Sequence, residues 1–309
     1  MKSFICLLTI LWAAHVSTLN AQPADTAAVK EIASGVFVAE APVALAGPEN
    51  AGAIANRAFI IGETAVGVID TGGSFAAGAA LKSAIRARTN VPIRYVINTH
   101  MHPDHVLGNA AFAGDGVVFA GHAKLPRALA ARAGQYLQAN RRLIGEEGFA
   151  GTEIVAPTLL VADETTIDLG NRVLRLTAHP TAHTDNDLTV YDAATGTLIL
   201  GDLLFQGHLP VIDGSLNGWL AVLDTLAAQP AARAVPGHGP ASVPWPDAAA
   251  EERSYLSALR GDLRMAIRAG WPMARALGDI KPEGVEHWRL VEDYHRRNIS
   301  AGFAEMEWE

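Results

Sequence analysis

The sequence predicts a layered α/β domain, and three observations carry that reading. Short β-like runs alternate with helical stretches in the first half, strands return from residue 166, and long helices close the chain. Half of the 309 residues are hydrophobic and 18% are charged, a balance that supports one sizeable core over disorder or several membrane spans. Strand, helix, strand in succession suggests a crossover unit feeding a layered α/β core.

The elements follow in order. After a polar stretch at 22–31, residues 35–39 read as a first strand, and a loop rich in Ala, Gly and Pro spans 41–52. Two β-like runs, 57–61 and 65–69, flank a turn at Gly62-Glu63. The second ends in Asp70-Thr71-Gly72-Gly73, which releases the chain into a helix over 75–88. Residues 93–98 form a short strand, and Thr99 begins a His-rich loop. A strand at 117–120 then leads to a long helix over 123–143. In the second half, strands are expected at 166–169, 173–177, 188–191 and 197–200, with turns at Gly170-Asn171 and 192–196. Helices are expected over 216–228, 247–269 and 287–303. No repeat, linker or low-complexity block divides the chain.

Residues 1–21 read as a secretory signal peptide. Lys2 supplies the positive start, an uncharged apolar run covers 4–14, and the small Ala21 precedes Gln22. That run is too short for a permanent span, which needs about 20 apolar residues. The expectation is a periplasmic or secreted protein with no membrane span after signal removal. Its single cysteine, Cys6, lies inside the signal. Residues 22–309 therefore hold no thiol, and a metal site there must be built from His, Asp and Glu. The formal charge of −8, with no basic run longer than Arg141-Arg142 or Arg296-Arg297, excludes the footprint a nucleic acid needs. A small-molecule substrate is the expected partner.

The strongest chemical signal is Thr99-His100-Met101-His102-Pro103-Asp104-His105. Alternate residues of an extended segment point the same way, so His100 and His102 can converge on one ion. Pro103 then redirects the chain and turns Asp104 and His105 toward a second position. Further donors stand where strands end: His183 in Thr181-Ala182-His183-Thr184, Asp202 after Gly201, and His238 in Pro236-Gly237-His238-Gly239. Singly, each has a bland reading as a turn-capping residue. Together they form a seven-donor set of imidazole and carboxylate, suited to zinc and also to iron or manganese.

The His-x-His-x-Asp-His motif, preceded by Asp70 and followed by His183, Asp202 and His238, resembles the metallo-β-lactamase superfamily. The resemblance runs from Val36 to about His238, most of the mature chain. It implies a four-layer αβ/βα sandwich over 22–309, including the C-terminal helices, with the site at one edge of the facing sheets. It also implies two zinc ions: His100, His102 and His183 around the first, Asp104, His105 and His238 around the second, and Asp202 bridging them. Asp70 resembles the family's buried carboxylate that braces the His loop. Its alternative is a turn-forming Asp ahead of Gly72-Gly73. True metallo-β-lactamases typically carry Cys or Ser where this chain has Asp202, so penicillin hydrolysis is disfavoured. The segments Pro180-Thr181-Ala182-His183-Thr184-Asp185-Asn186-Asp187-Leu188 and Val211-Ile212-Asp213-Gly214-Ser215-Leu216 resemble a narrower group, the quinoprotein relay system zinc metallohydrolases.

The expected activity is hydrolysis of an ester, lactone, thioester or amide-type bond through a metal-bridging hydroxide, with Asp104 as the catalytic carboxylate that orients the nucleophile. His208 reads either as a substrate contact or as a surface loop histidine, His122 as a capping or packing residue, and His179 as structural. Three alternatives stay open. One is a mononuclear iron persulfide dioxygenase, which by resemblance needs only His100, His183 and Asp202. The others are a non-catalytic, metal-dependent binder of a quinone cofactor or its precursor, and a β-lactamase. No Gly-x-Ser-x-Gly elbow, His-Glu-x-x-His helix, phosphate loop or dinucleotide fingerprint occurs in the sequence.

Overall fold

A computed structural model describes residues 29–114 and 116–308; the expected signal peptide lies outside them. The first half contributes β1 (Val29–Ala33), β2 (Val36–Ala39), β3 (Arg57–Ile61), β4 (Val66–Ile69), α1 (Phe75–Arg86), β5 (Ile93–Ile97) and the short α2 (Pro103–Val106). A 3-10 turn at Asn109–Phe112, β6 (Val118–His122), α3 (Leu125–Ile144), α4 (Glu146–Phe149) and β7 (Leu159–Val161) follow. The second half contributes β8 (Glu164–Asp168), β9 (Val173–Ala178), β10 (Leu188–Asp192), β11 (Thr197–Phe205), α5 (Leu216–Ala227) and β12 (Arg233–His238). Three helices close the chain: α6 (Ala249–Arg268), α7 (Met273–Asp279) and α8 (Val291–Met306).

β1 to β7 form one sheet in sequential order, and β12-β11-β10-β9-β8 form the other. The first sheet is antiparallel through β4 and parallel from β4 to β7, where α1 and α3 provide crossovers. The alternation of side chains along each strand builds the layers. Ala58 and Ile60 of β3 face the second sheet, joining Leu174, Leu176, Val190 and Ile199 in a shared core. Phe59, between them, points the other way and packs with Leu81 and Ile85 of α1. In β11, Ile199 lies in the inter-sheet core while Leu198 and Leu200 pack outward against Trp219, Leu220 and Leu256. Period-2 alternation with apolar residues on both faces requires helices on both outer sides. Fully buried residues such as Ile60 and Leu176 each stabilise the fold by roughly 1.5–3 kcal/mol. The architecture is the four-layer αβ/βα sandwich that the family resemblance implies.

The structure corrects several boundaries. β1 lies partly in what the sequence reads as a polar stretch. It is an edge strand whose Lys30 and Glu31 are exposed, so one face never develops the apolar signal of a core strand. β7, three residues long, is too short to register. β11 does not stop at Leu200 but runs to Phe205, with register shifts around Gly201 in its pairing with β12. Asp202 thus sits within a bulged strand rather than after one. No helix among the described residues is long and apolar enough to cross a membrane.

Candidate metal centre

The seven donors come from segments far apart in sequence that end at one edge of the two sheets. Asp70 follows β4 in a left-handed backbone conformation, φ +57°, which an Asp tolerates better than most residues. His100 and His102 follow β5, and Pro103 opens α2, a first-turn position where its missing N–H costs nothing. Asp104 and His105 lie in α2, His183 between β9 and β10, Asp202 in β11 and His238 at the end of β12. Small residues allow the close approach: a β-carbon on Gly237 would overlap the Asp202 carboxylate, and one on Gly201 (φ +54°) would strike Thr99.

Four of the imidazoles are anchored through their outer nitrogen. His183 Nδ1 donates to the Val211 carbonyl at 2.6 Å, and His105 Nδ1 to Asp70 Oδ2 at 2.8 Å. His102 Nε2 donates to Asp213 Oδ2 at 3.0 Å. Thr99 Oγ1 donates to Asp70 at 2.7 Å and so accepts from His100 Nδ1 at 3.1 Å. These partners set which nitrogen of each ring turns inward: a lone pair in the neutral rings, and in His105 the nitrogen that gives up its proton to a metal. His102 Nδ1 lies 3.0 Å from His100 Nε2 and 2.9 Å from His183 Nε2. Three lone pairs at that spacing repel unless a cation lies between them. Nitrogens bound to one zinc at about 2.0–2.1 Å stand roughly 3.3 Å apart in a tetrahedron, close to the spacing seen.

Two groups can hold an ion: His100, His102, His183 and Asp202, and Asp104, His105 and His238, with donor atoms in each within 4.8 Å of one another. Asp202 faces both. Its Oδ2 lies 3.4 Å from His183 Nε2 and 3.4 Å from His238 Nε2, and its Oδ1 lies 3.1 Å from His105 Nε2. His105 Nε2 and Asp202 Oδ1 are both buried without a hydrogen-bond partner. Buried polar atoms rarely stay unpaired, and a divalent cation satisfies both. The donor chemistry fits such an ion.

The electrostatics divide the two groups. Burial drives the His183 pKa down to about 3 and that of His100 well below the ordinary value, so both rings are neutral. Burial also opposes charge on His105 and His238, but carboxylates outweigh it: Asp202, Asp104 and Asp70 hold His105 well above its usual range, and Asp202 and Asp104 lift His238 to about 9. At neutral pH, both rings of the second group therefore carry protons when no metal is bound. Metal uptake at pH 7 is expected to release about two protons per chain, with affinity rising as pH climbs toward 9. Zinc titration by calorimetry in buffers of different ionisation enthalpy reads that number; zero proton release would contradict the assignment.

Asp70, 2% exposed, accepts from the Thr99 amide at 2.8 Å, from the Thr99 hydroxyl and from His105. It braces the His loop and is not simply a turn residue. Asp70→Ala strands three buried donors and is expected to cost about 3–5 kcal/mol in denaturant unfolding. A loss under about 1 kcal/mol would show that the brace is dispensable.

His122, His179 and His208 separate cleanly. His122 Nδ1 accepts from the Lys124 amide, a capping contact, and His179 pairs with Thr189. His208 is not a surface residue. It is 3% exposed, donates from Nδ1 to the Leu209 carbonyl, packs 4.8 Å from the His238 ring and lines the cavity over the donors. That cavity, about 590 Å³, also touches Asp104, Tyr136, Asp213 and Tyr294. The sequence reading assigned no role to Asp213, Thr99 or Asn56. Asn56, which donates to the Pro236 and Gly239 carbonyls, ties the His238 loop to the loop after β2. Its signal was only a polar residue beside an apolar strand.

Comparison with known proteins agrees with this geometry. The stereoselective inverting sec-alkylsulfatase Pisa1 from a Pseudomonas species superposes with a TM-score of 0.70 at 16% identity, covering 91% of this chain and 50% of that one. This chain thus spans about half the length of that enzyme. A metallo-β-lactamase from Pontibacter korlensis superposes at 0.59 and 19% identity, covering 74% of this chain and 98% of its own. These likenesses establish the fold. No curated protein sequence matches the chain. The family model described as the metallo-beta-lactamase superfamily matches residues 51–238, well over half of the sequence, and the chain belongs to that superfamily.

Proposed function

We propose that this protein is an exported, periplasmic or secreted, dinuclear zinc hydrolase that cleaves an ester, lactone, thioester or amide-type bond in a small molecule. Among narrower groups it is most similar to the quinoprotein relay system zinc metallohydrolases. One observation carries the reading: seven donors stand in two adjacent groups with the Asp202 carboxylate against both. His100, His102 and His183 would hold the first ion and Asp104, His105 and His238 the second, with Asp202 as the donor shared between them. Bound zinc ions supply a water nucleophile at neutral pH and polarise the scissile carbonyl.

The chain's own residues do the rest. Asp104 faces the cavity with its Oδ2 3.3 Å from His238 Nε2. His105 and His238 draw its pKa down against the effect of burial, so it is an anion at neutral pH. There it accepts a hydrogen bond from the attacking water and passes the proton to the leaving group. Burial, reinforced by His238, lowers the His208 pKa to about 4. With Nδ1 committed to Leu209, its neutral ring offers Nε2 as an acceptor to substrate. The partial burial of the site restricts water and strengthens these contacts.

Elemental analysis of protein purified without chelators tests the reading, followed by assays on lactones, thioesters, esters and β-lactams. Two zinc ions per chain with multiple-turnover hydrolysis support it. One iron per chain with persulfide oxidation would favour the dioxygenase, and stoichiometric quinone binding without turnover would favour a binder. No tightly bound metal would overturn it.

A further inference from the structure

The cavity over the donors is lined by two unlike sets of side chains. Arg132 of α3 and Arg297 of α8 line it with Tyr136 and Tyr294, and the same helices add apolar lining through Leu143 of α3 and Leu290 at the start of α8, with Leu45 and Ile54 from the loop after β2. Arg132 and Arg297 share a single acid. Asp213 lies 3.6 Å from an Arg132 nitrogen and 3.8 Å from an Arg297 nitrogen. Both separations exceed a hydrogen bond, and Asp213 already accepts from His102. Two guanidinium charges thus face one carboxylate, and their N–H groups remain available. This happens on a chain whose formal charge is −8, so the pair is not part of a general basic surface.

The apolar lining is equally unusual. Leu45 is 48% and Leu143 54% exposed. Among the described residues, few large apolar side chains are that exposed, and these two share the cavity's rim. Solvated leucines at a cavity mouth lose that exposure when an apolar ligand covers them. Leu290, Tyr294 and Arg297 also lie beyond the family match, which ends at residue 238. This half of the mouth therefore belongs to the C-terminal helices.

We propose that the site selects substrates with an anionic group on an apolar body, the anion held by Arg132 and Arg297 and the body lying on Leu45, Leu143 and Leu290. A planar guanidinium pairs with carboxylate, phosphate or sulfate oxygens in the same fork. The inference deepens the hydrolase reading and rests on it for the word substrate, but its binding test does not need turnover.

The test is calorimetric binding of 6-phenylhexanoate and its neutral partner 6-phenylhexanamide to the metal-loaded protein, to an Arg132→Gln/Arg297→Gln variant and to Arg132→Lys. The wild type is expected to bind the acid about tenfold or more tightly than the amide. The double variant is expected to lose that preference with amide binding unchanged, and Arg132→Lys to keep part of it. Both arginine side chains are partly exposed at the rim, so metal content and melting temperature should hold. Equal binding of acid and amide by the wild type overturns the proposal. So does an acid preference that survives in the double variant, because the anion then sits at the metals. Failure of the hydrolase reading looks different: no ester is turned over, while the arginine-dependent preference for the acid persists.

Discussion

Asp202→Ala is expected to reduce bound metal from two ions to less than one per chain and to lower kcat/KM by at least about 10³-fold. The carboxylate is 4% exposed and faces His100, His105, His183 and His238 at once. Removing it takes away the carboxylate that faces both groups of imidazoles. The His105 and His238 rings then lose the carboxylate that does most to hold their protons, and two cations in one small space lose the charge that screens them from each other. A bridging ligand contributes to both ions, so its loss is not confined to one group. Elemental analysis after gel filtration, paired with turnover of whichever substrate the screen identifies, reads the result. Two retained metals with undiminished turnover would remove Asp202 from the centre.

Asp104→Ala is expected to give a different signature. Turnover falls by about 10²–10⁴-fold, yet one ion stays bound by His100, His102, His183 and Asp202. Asp104 is the most accessible of the carboxylates in the cluster, with a side chain 16% exposed against 4% for Asp202. It stands on the cavity side, with its Oδ2 3.3 Å from His238 Nε2 and 3.6 Å from His105 Nε2. Its loss strands no buried donor network of the kind Asp70 holds, so the unfolding midpoint should barely move. The pair of variants is therefore diagnostic. Asp202→Ala strips the centre, whereas Asp104→Ala disarms it with one ion in place. Full activity in Asp104→Ala would sink its assignment as the catalytic carboxylate.

The contrast between donors and braces explains which parts of the site were legible in sequence. His100, His102, Asp104 and His105 lie within six residues, a density that chance loops seldom reach. His183, Asp202 and His238 each stand beside a small residue where a strand ends or bulges. Asp213 carries no such mark. Its hydrogen bond to His102 spans 111 positions, and only the closing of the second sheet onto the first brings them together. Thr99 reads as an ordinary strand-end residue, although its hydroxyl links Asp70 to His100. Arg132 and Arg297 come from two helices and lie 165 positions apart in the chain, and each alone reads as a solvated face of an amphipathic helix. The fold itself showed through where apolar periodicity was strong. β3, β4, α1, α3, α5 and α6 fall within a few residues of expectation. β1 did not, because an edge strand can be polar without penalty. β11 was cut short because Gly201-Asp202 imitates a turn; pairing with β12 keeps it a strand.

What the sequence alone determined is the layered α/β class, the seven candidate donors and the split of the His100–His105 motif between two positions. These depend on local quantities: side-chain type, spacing and the periodicity of apolar residues. The division of the other three donors came only with the family resemblance. Only the tertiary structure decided which nitrogen of each imidazole faces inward, which acid braces which ring, and that two arginines and two leucines meet at one cavity mouth. Tautomer, brace and pocket wall all depend on distances between groups remote in sequence, and such distances exist only once the two sheets and their outer helices have packed.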